Sequence, residues 1–255
     1  MKPPPFDYAA PRSLEEALAL LAEHGSDAKV LAGGQSLVPL LNFRFTRPAL
    51  LVDINRVDGL DRLEGGAIGA LVRTRQVERE SPAPLLRLAA AFVGHPQIRS
   101  RGTVCGSVAH ADPAAELPCA LLALDATVGL CSTRGERELP IDEFLVGTFS
   151  TALEPDELLV ELRVPQQPAG TRVGFAEYSR VHGDFALAGA AAIARPDGLV
   201  VSLLAVAERP LRVELPAEAA DEPRAAAAAA VHDLDPGHRR ALAETLVRRA
   251  LEDAA

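Results

Sequence analysis

The chain has 255 residues, 48% of them hydrophobic, with 26 Lys and Arg against 35 Asp and Glu for a formal net charge of −9. Such a chain can bury a substantial core without disulfides or structural metal, in two domains or one large one. The acidic balance argues against a nucleic-acid backbone or an anionic membrane as the main partner, and no apolar run approaches the roughly 18 residues of a membrane span.

Cys105, Cys119 and Cys131 are odd in number, far apart and without a Cys-x-x-Cys pair. That pattern supports neither a disulfide framework nor a zinc or iron–sulfur cage, so three reduced thiols are expected. Any redox chemistry then has to come from a bound organic cofactor. Met1-Lys2-Pro3-Pro4-Pro5 does not read as a signal peptide, and a cytoplasmic protein is expected.

Ser13-Leu14-Glu15-Glu16 is a capping-box pattern, and Leu14, Ala17, Leu18 and Leu21 follow at helical spacing until Gly25. This predicts a helix over 13–24. Val30 to Ala32 reads as a short strand that breaks at Gly33-Gly34. The chain passes through Gln35-Ser36 and restarts as a helix with Pro39 in its first turn, ending near Phe43. Glycines permit positive φ and close approach, and the amides of such a turn point outward together. The result suits an anion, typically phosphate or pyrophosphate, with Ser36 able to add a hydroxyl. Alone, a Gly-Gly pair is more often a plain structural turn. The anion reading gains from a second small-residue loop about seventy residues on, Arg101 to Pro113.

Ala49 to Ile54 reads as a buried strand, which closes a small βαβ-like unit. Short strands punctuated by Gly65, Gly66 and Gly69 are expected from Leu60 to Val77, and Arg73, Arg75, Glu78, Arg79 and Glu80 read as a solvated helix face. Helical spacing returns over 83–93, a buried helix is expected over 117–124 with Pro118 in its first turn, and a strand over 126–131. Arg134-Gly135-Glu136-Arg137 reads as a turn, and Leu158 to Val164 as a strand. Pro165-Gln166-Gln167-Pro168-Ala169-Gly170 is the best linker candidate. Beyond it, strands are expected over 174–180 and 199–206, separated by an Ala-rich segment over 186–194. Residues 216–230, with six alanines from Ala225 to Ala230, read as either helix or loop. A closing amphipathic helix spans 239–251 with Leu242, Leu246 and Ala250 on one face.

Phe6-Asp7-Tyr8, the run from Pro11 to Ala17, Ala32-Gly33-Gly34-Gln35-Ser36-Leu37-Val38-Pro39, Arg101-Gly102-Thr103, Gly106-Ser107 and the run from Ala109 to Pro118 together resemble the FAD-binding medium subunit of the molybdenum hydroxylases, the group that includes carbon monoxide dehydrogenase and xanthine dehydrogenase. Gly183-Asp184-Phe185-Ala186 and the final helix are similar to that family's C-terminal domain, so the resemblance covers nearly the whole chain. It implies an α+β fold: a two-subdomain FAD-binding domain of PCMH type over 1–167, with subdomains of about 1–56 and 57–167, then a smaller α+β domain over 170–255.

Carried to matching positions, the resemblance implies that Ala32, Gly33, Gly34, Gln35, Ser36 and Leu37 hold the FAD diphosphate. Thr103, Val104, Cys105, Gly106 and Ser107 would hold diphosphate and ribityl from the other side. Glu116 would lie near the adenosine half, with Leu159 and Phe185 beside the flavin. Cys105 stands where the family has the first glycine of a pair, so that turn must tolerate a Cβ or change its φ. Glu177 stands where some relatives carry a lysine near the flavin. The implied role is electron transfer, with a large molybdopterin subunit and a small 2Fe–2S subunit as partners in a dimer of heterotrimers.

His110-Ala111-Asp112 lacks a third partner for a metal, and Asp112-Pro113 reads as a turn former; no metal ligands and no catalytic acid–base pair are expected. His24, His95, His182, His232 and His238 are scattered and read as surface or capping residues. Two other readings stay open: a stand-alone flavin-dependent oxidoreductase, or a binding module that has lost FAD. The substrate of the complex and its acceptor, whether nicotinamide, quinone or oxygen, are not written in this chain.

Overall fold

The computed structural model describes residues 2–254; Met1 and Ala255, the outer ends of the two expected domain ranges, lie outside the described residues. The chain opens with β1 (Asp7–Ala9), α1 (Leu14–His24), β2 (Ala28–Leu31), α2 (Leu37–Phe43) and β3 (Leu50–Asp53). The three strands form one parallel sheet in the order β1-β3-β2. β3 is its middle strand, and Leu50, Leu51 and Val52 are all buried, which is why the strand reads as an unbroken apolar run. α1 starts as expected: Ser13 Oγ accepts from the Glu16 amide at 3.2 Å, and the Glu16 carboxylate accepts from the Arg12 amide at 2.9 Å. β1 was not foreseen, because three residues carry no period.

The middle of the chain is β4 (Leu63–Glu64), β5 (Ala67–Gly69), α3 (Thr74–Glu80), α4 (Pro84–Phe92), α5 (Pro96–Arg101), α6 (Val104–His110), α7 (Glu116–Ala123), β6 (Thr127–Ser132), β7 (Gly135–Pro140), α8 (Ile141–Phe144), β8 (Leu145–Gly147), β9 (Ser150–Thr151) and β10 (Leu158–Arg163). β4-β5-β10-β6-β7 is an antiparallel sheet. α7 is buried on every side, matching the apolar run that follows Glu116. Three expectations are corrected. The strands expected through Val77 stop at Gly69, and helix α3 follows. Gly135 to Arg137 belongs to a strand, because the hairpin turns just before it. Glu78 is no solvated charge: it pairs at 2.9 Å with Arg99, which is 8% exposed and also donates to the Val93 and Gly94 carbonyls.

The carboxyl-terminal part is a meander of β11 (Arg172–Tyr178), β12 (Ala188–Arg195), β13 (Gly198–Leu204) and β14 (Leu211–Leu215), followed by α9 (Pro223–Ala230) and α10 (His238–Asp253). The Ala-rich segment is thus strand β12. Its Ala191 and Ile193 join the core shared with α4 and α7, while Ala188, Ala190, Ala192 and Ala194 face the core under α9 and α10. A strand covered on both faces has no polar alternation, and small side chains let helices approach closely. At Gly174 of β11, a Cβ would sit 1.8 Å from the Ala250 carbonyl of α10. Asp125, just past α7, ties the two parts together through Arg195 at 2.9 Å and Arg212 at 2.8 Å.

Candidate functional site at the carboxyl end of the parallel sheet

β2 and β3 run parallel and end side by side at Leu31 and Asp53, so the segments leaving them open onto the same edge. Parallel sheets bind ligands at this carboxyl edge, where side chains and turn amides converge. Here they frame an open cleft of about 410 Å³ lined by Ala32, Gly33, Gly34, Gln35, Val38, Pro39, Asn42, Asp53, Asn55, Ile98 and Arg101, among others.

Gly33 and Gly34 each have a reason. A Cβ on Gly33 would lie 2.4 Å from the Arg101 carbonyl oxygen and 2.8 Å from Gly102 Cα, so the two expected loops touch backbone to backbone through this glycine. Gly34 has φ +73, a conformation that L side chains rarely adopt. The carbonyls of Gly34 and Ser36 accept from the first turns of α2, whereas among the described residues the amides of Gly34, Gln35 and Ser36 have no backbone acceptor. Gln35 Nε2 donates to the Gly33 carbonyl at 3.0 Å and stiffens the turn.

The opposite wall carries positive charge. Arg101 lines the cleft, and Arg73 lies behind it. Burial and the nearby Arg101 charge both lower the Arg73 pKa, against the pull of Asp53. The two positive charges thus oppose one another near the turn's amides, and an anion bound there would offset that repulsion. Asp53 is held below the usual carboxylate range despite its partial burial, by hydrogen bonds from Tyr8 and Asn55.

The second expected loop is corrected. Residues 104–110 are helix α6, capped by Thr103, whose Oγ1 accepts from the Gly106 amide at 3.1 Å. The Val104 amide goes to Val72 O and the Ser107 amide to Thr103 O, so few donors remain there. Val104 and Cys105 point into the core, and Gly106 and Ser107 lie at the surface. Cys105 takes a helical backbone without strain, and its Sγ reaches Ile68 O at 3.4 Å.

Glu116 does not line the cleft. It is 8% exposed at the head of α7, near enough to Glu177 on β11 for its charge to raise the Glu177 pKa, and both charges act on the buried Cys119 thiol between them in the chain. Burial pushes Glu116 up to about 7, with Asp112 adding to the rise and its own backbone amide opposing it. Burial, then Glu116, pushes Glu177 up to about 8, and among the described residues the buried Glu177 Oε2 has no hydrogen-bond partner. Leu159 is buried in β10 opposite Leu130. Phe185 is 74% exposed on the loop between β11 and β12, where Gly183 packs against the His95 ring at the start of α5. The same helix carries Ile98 and Arg101 into the cleft.

The structure therefore gathers Ala32, Gly33, Gly34 and Gln35 in the cleft, with Ser36 and Leu37 at the start of α2 beside them. Sequence reasoning missed Asp53, Asn55, Asn42, Ile98 and Arg101 as lining residues, and Arg73 behind them. The available signal was the carboxyl-edge rule: polar residues directly after a buried parallel strand, as in Val52-Asp53-Ile54-Asn55, face the ligand crevice.

Residues 4–167 match the family described as the FAD binding domain in molybdopterin dehydrogenase, and the chain belongs to that family. It is an FAD-binding oxidoreductase subunit of the molybdenum hydroxylase class, with an electron-transfer role in a multi-subunit complex. Among curated relatives, it is 55% identical over 205 residues to the 6-hydroxypseudooxynicotine dehydrogenase complex subunit alpha of Paenarthrobacter nicotinovorans, covering 77% of this chain and 69% of that one. The carbon monoxide dehydrogenase medium chain of Hydrogenophaga pseudoflava is 40% identical over 215 residues, covering 81% and 75%. A solved structure of carbon monoxide dehydrogenase from that organism, in a form lacking the Mo-pyranopterin moiety, superposes with a TM-score of 0.90 and 39% identity over 100% of this chain and 98% of that one. Among the described residues no helix is long and apolar enough to cross a membrane.

Proposed function

We propose that the cleft at the carboxyl edge of the parallel sheet holds the diphosphate of FAD. The carrying observation is Gly33: its missing side chain lets the Gly33–Ser36 turn meet the Arg101–Gly102 backbone. This leaves a cradle of free amides beside two arginines. The residues fit the group. Amides of Gly34, Gln35 and Ser36 would donate to phosphate oxygens, Arg101 would neutralise charge, and Asn55 and Asn42 would offer polar contacts along the groove. Thr103 to Ser107 would contribute mainly through the surface-facing Gly106 and Ser107. Glu116 would serve the adenosine half, and Leu159 and Phe185 the flavin-facing end.

FAD supplies the one- and two-electron chemistry; the protein supplies position, charge and exclusion of water. We further propose a two-domain organisation, 1–167 and 170–255, supported by the extent of the family match. The partners would be a large molybdopterin subunit and a small 2Fe–2S subunit in a dimer of heterotrimers, passing electrons through this chain to an external acceptor. The three buried free thiols support a reducing, cytoplasmic setting.

The test is reconstitution of the full chain with FAD, followed by gel filtration and absorbance. Wild type should retain flavin at one per chain, and Gly33→Ala should retain little. Equal retention by both would contradict the assignment. Affinity capture from cells co-expressing this chain with its two proposed partner subunits should recover a molybdenum- and iron–sulfur-containing assembly; capture of this chain alone would contradict the partner reading.

A further inference from the structure

The groove is made from two separate pieces of chain that join backbone to backbone at Gly33. Arg73 does so from below. Its backbone forms a bridge with Thr103, flanked by Thr74 N to Gly102 O at 2.9 Å and Val104 N to Val72 O at 3.2 Å. Its guanidinium then divides. One nitrogen donates to the Arg101 carbonyl at 2.7 Å, and the other to Asn55 Oδ1 at 2.6 Å. Asn55 in turn donates from Nδ2 to the Ala32 carbonyl at 2.8 Å and to Asp53 Oδ1 at 2.6 Å. Asp53 accepts from the Tyr8 hydroxyl on β1.

This chain of hydrogen bonds runs from β1, across the ends of β3 and β2, to the segment entering α6. It contacts the carbonyls on both sides of the Gly33 contact, those of Ala32 and Arg101. Arg73 itself does not line the cleft. We propose that Arg73 is a positioning residue for FAD binding, acting through Asn55 and the Arg101 carbonyl to hold the two walls at the separation the diphosphate needs. This rests on the assignment of FAD to the cleft. A planar guanidinium suits the task because its fork meets two acceptors at fixed separation; a lysine ammonium has the charge without the fork.

The experiment is FAD titration of the full chain by absorbance, with Arg73→Ala, Arg73→Lys, Asn55→Ala and the Arg73→Ala/Asn55→Ala double variant, and Gly33→Ala as control. Arg73→Ala should weaken FAD at least about tenfold, in the range of measured couplings within one hydrogen-bond network. Arg73→Lys should recover only a minor part of the loss. The double variant should be no weaker than the weaker single variant. Independently of FAD, hydrogen exchange at the Thr74 and Val104 amides should quicken in Arg73→Ala.

Wild-type affinity in Arg73→Ala, full rescue by Arg73→Lys, or additive effects in the double variant would each overturn the proposal; full rescue would reduce Arg73 to a charge. If Arg73→Ala does not fold, the Arg73→Lys titration and exchange rates decide alone. Should wild type fail to bind FAD, or Gly33→Ala bind it normally, the cleft assignment falls. The brace is then judged by exchange: unchanged rates at Thr74 and Val104 would overturn it too.

Discussion

Glu116 and Glu177 hold their protons more tightly in the folded chain than the ordinary carboxyl value of 4.5, up to about 7 and about 8. The folded state therefore binds more protons than the unfolded chain across this window. Their contribution to stability is intact below about pH 4.5 and is lost as pH rises through 7 and 8, on the order of several kcal/mol with most of it from the more buried Glu116. His110 acts in the opposite sense: burial lowers its pKa, so its contribution is lost as pH falls below the ordinary 6.5. Comparison with a variant separates the two. Urea unfolding of wild type should show stability falling between mildly acid and mildly alkaline pH, and Glu177→Gln should flatten that fall. Parallel slopes in the two proteins would refute the assignment. At the same scale, Gly33→Ala drives a Cβ into the Arg101 carbonyl and should cost about 1–3 kcal/mol of stability by overpacking as well as flavin affinity. A Gly33→Ala protein that melted like wild type would contradict that close approach.

Among the elements, Gly174→Ala should be among the most damaging single-methyl additions, because α10 lies directly on β11 at that glycine. The expected loss is about 1–3 kcal/mol, read by thermal or urea unfolding; a neutral variant would mean that α10 sits farther from the sheet. The same packing explains what was legible in the sequence. Elements with a clear period or cap could be read: α1 from its capping box, β3 from its apolar run, and α10 from its stripe, of which Leu246 and Ala250 are buried while Leu242 lies at the edge. β12 could not, since alanine favours helix by propensity and only coverage on both faces makes a strand of it. β1, at three residues, exists by pairing with β3. The Gly-Gly turn was readable because glycine pairs mark local backbone geometry. α6 was misread as a loop because Gly106 suggested a turn, whereas the Thr103 cap and the burial of Val104, Cys105 and Val108 decide for helix. Asn55 and Arg73 remained hidden because their roles come from segments about twenty and thirty residues away in the chain.

Across the whole molecule, the carboxyl-terminal sheet gives one face to each of two cores. Phe175, Ala186, Ala191, Ile193, Val200 and Leu204 belong to the core of the first 164 residues, and Cys119 of α7 reaches Ser202 of β13. A fragment ending near residue 167 leaves that face of the first core bare, so it should aggregate or unfold without a cooperative transition, while the full chain unfolds as one unit. A soluble fragment with a sharp transition would contradict the shared core. The loop carrying Phe185 packs through Gly183 on His95 at the start of α5, the helix that brings Ile98 and Arg101 to the cleft. The most direct measurement is therefore hydrogen–deuterium exchange of the full chain with and without FAD. FAD should slow exchange at 33–37, 53–55 and 101–103, and leave α9 and α10 unchanged. Protection confined to other segments, with those three unaffected, would contradict a flavin dinucleotide held at the carboxyl edge of the parallel sheet.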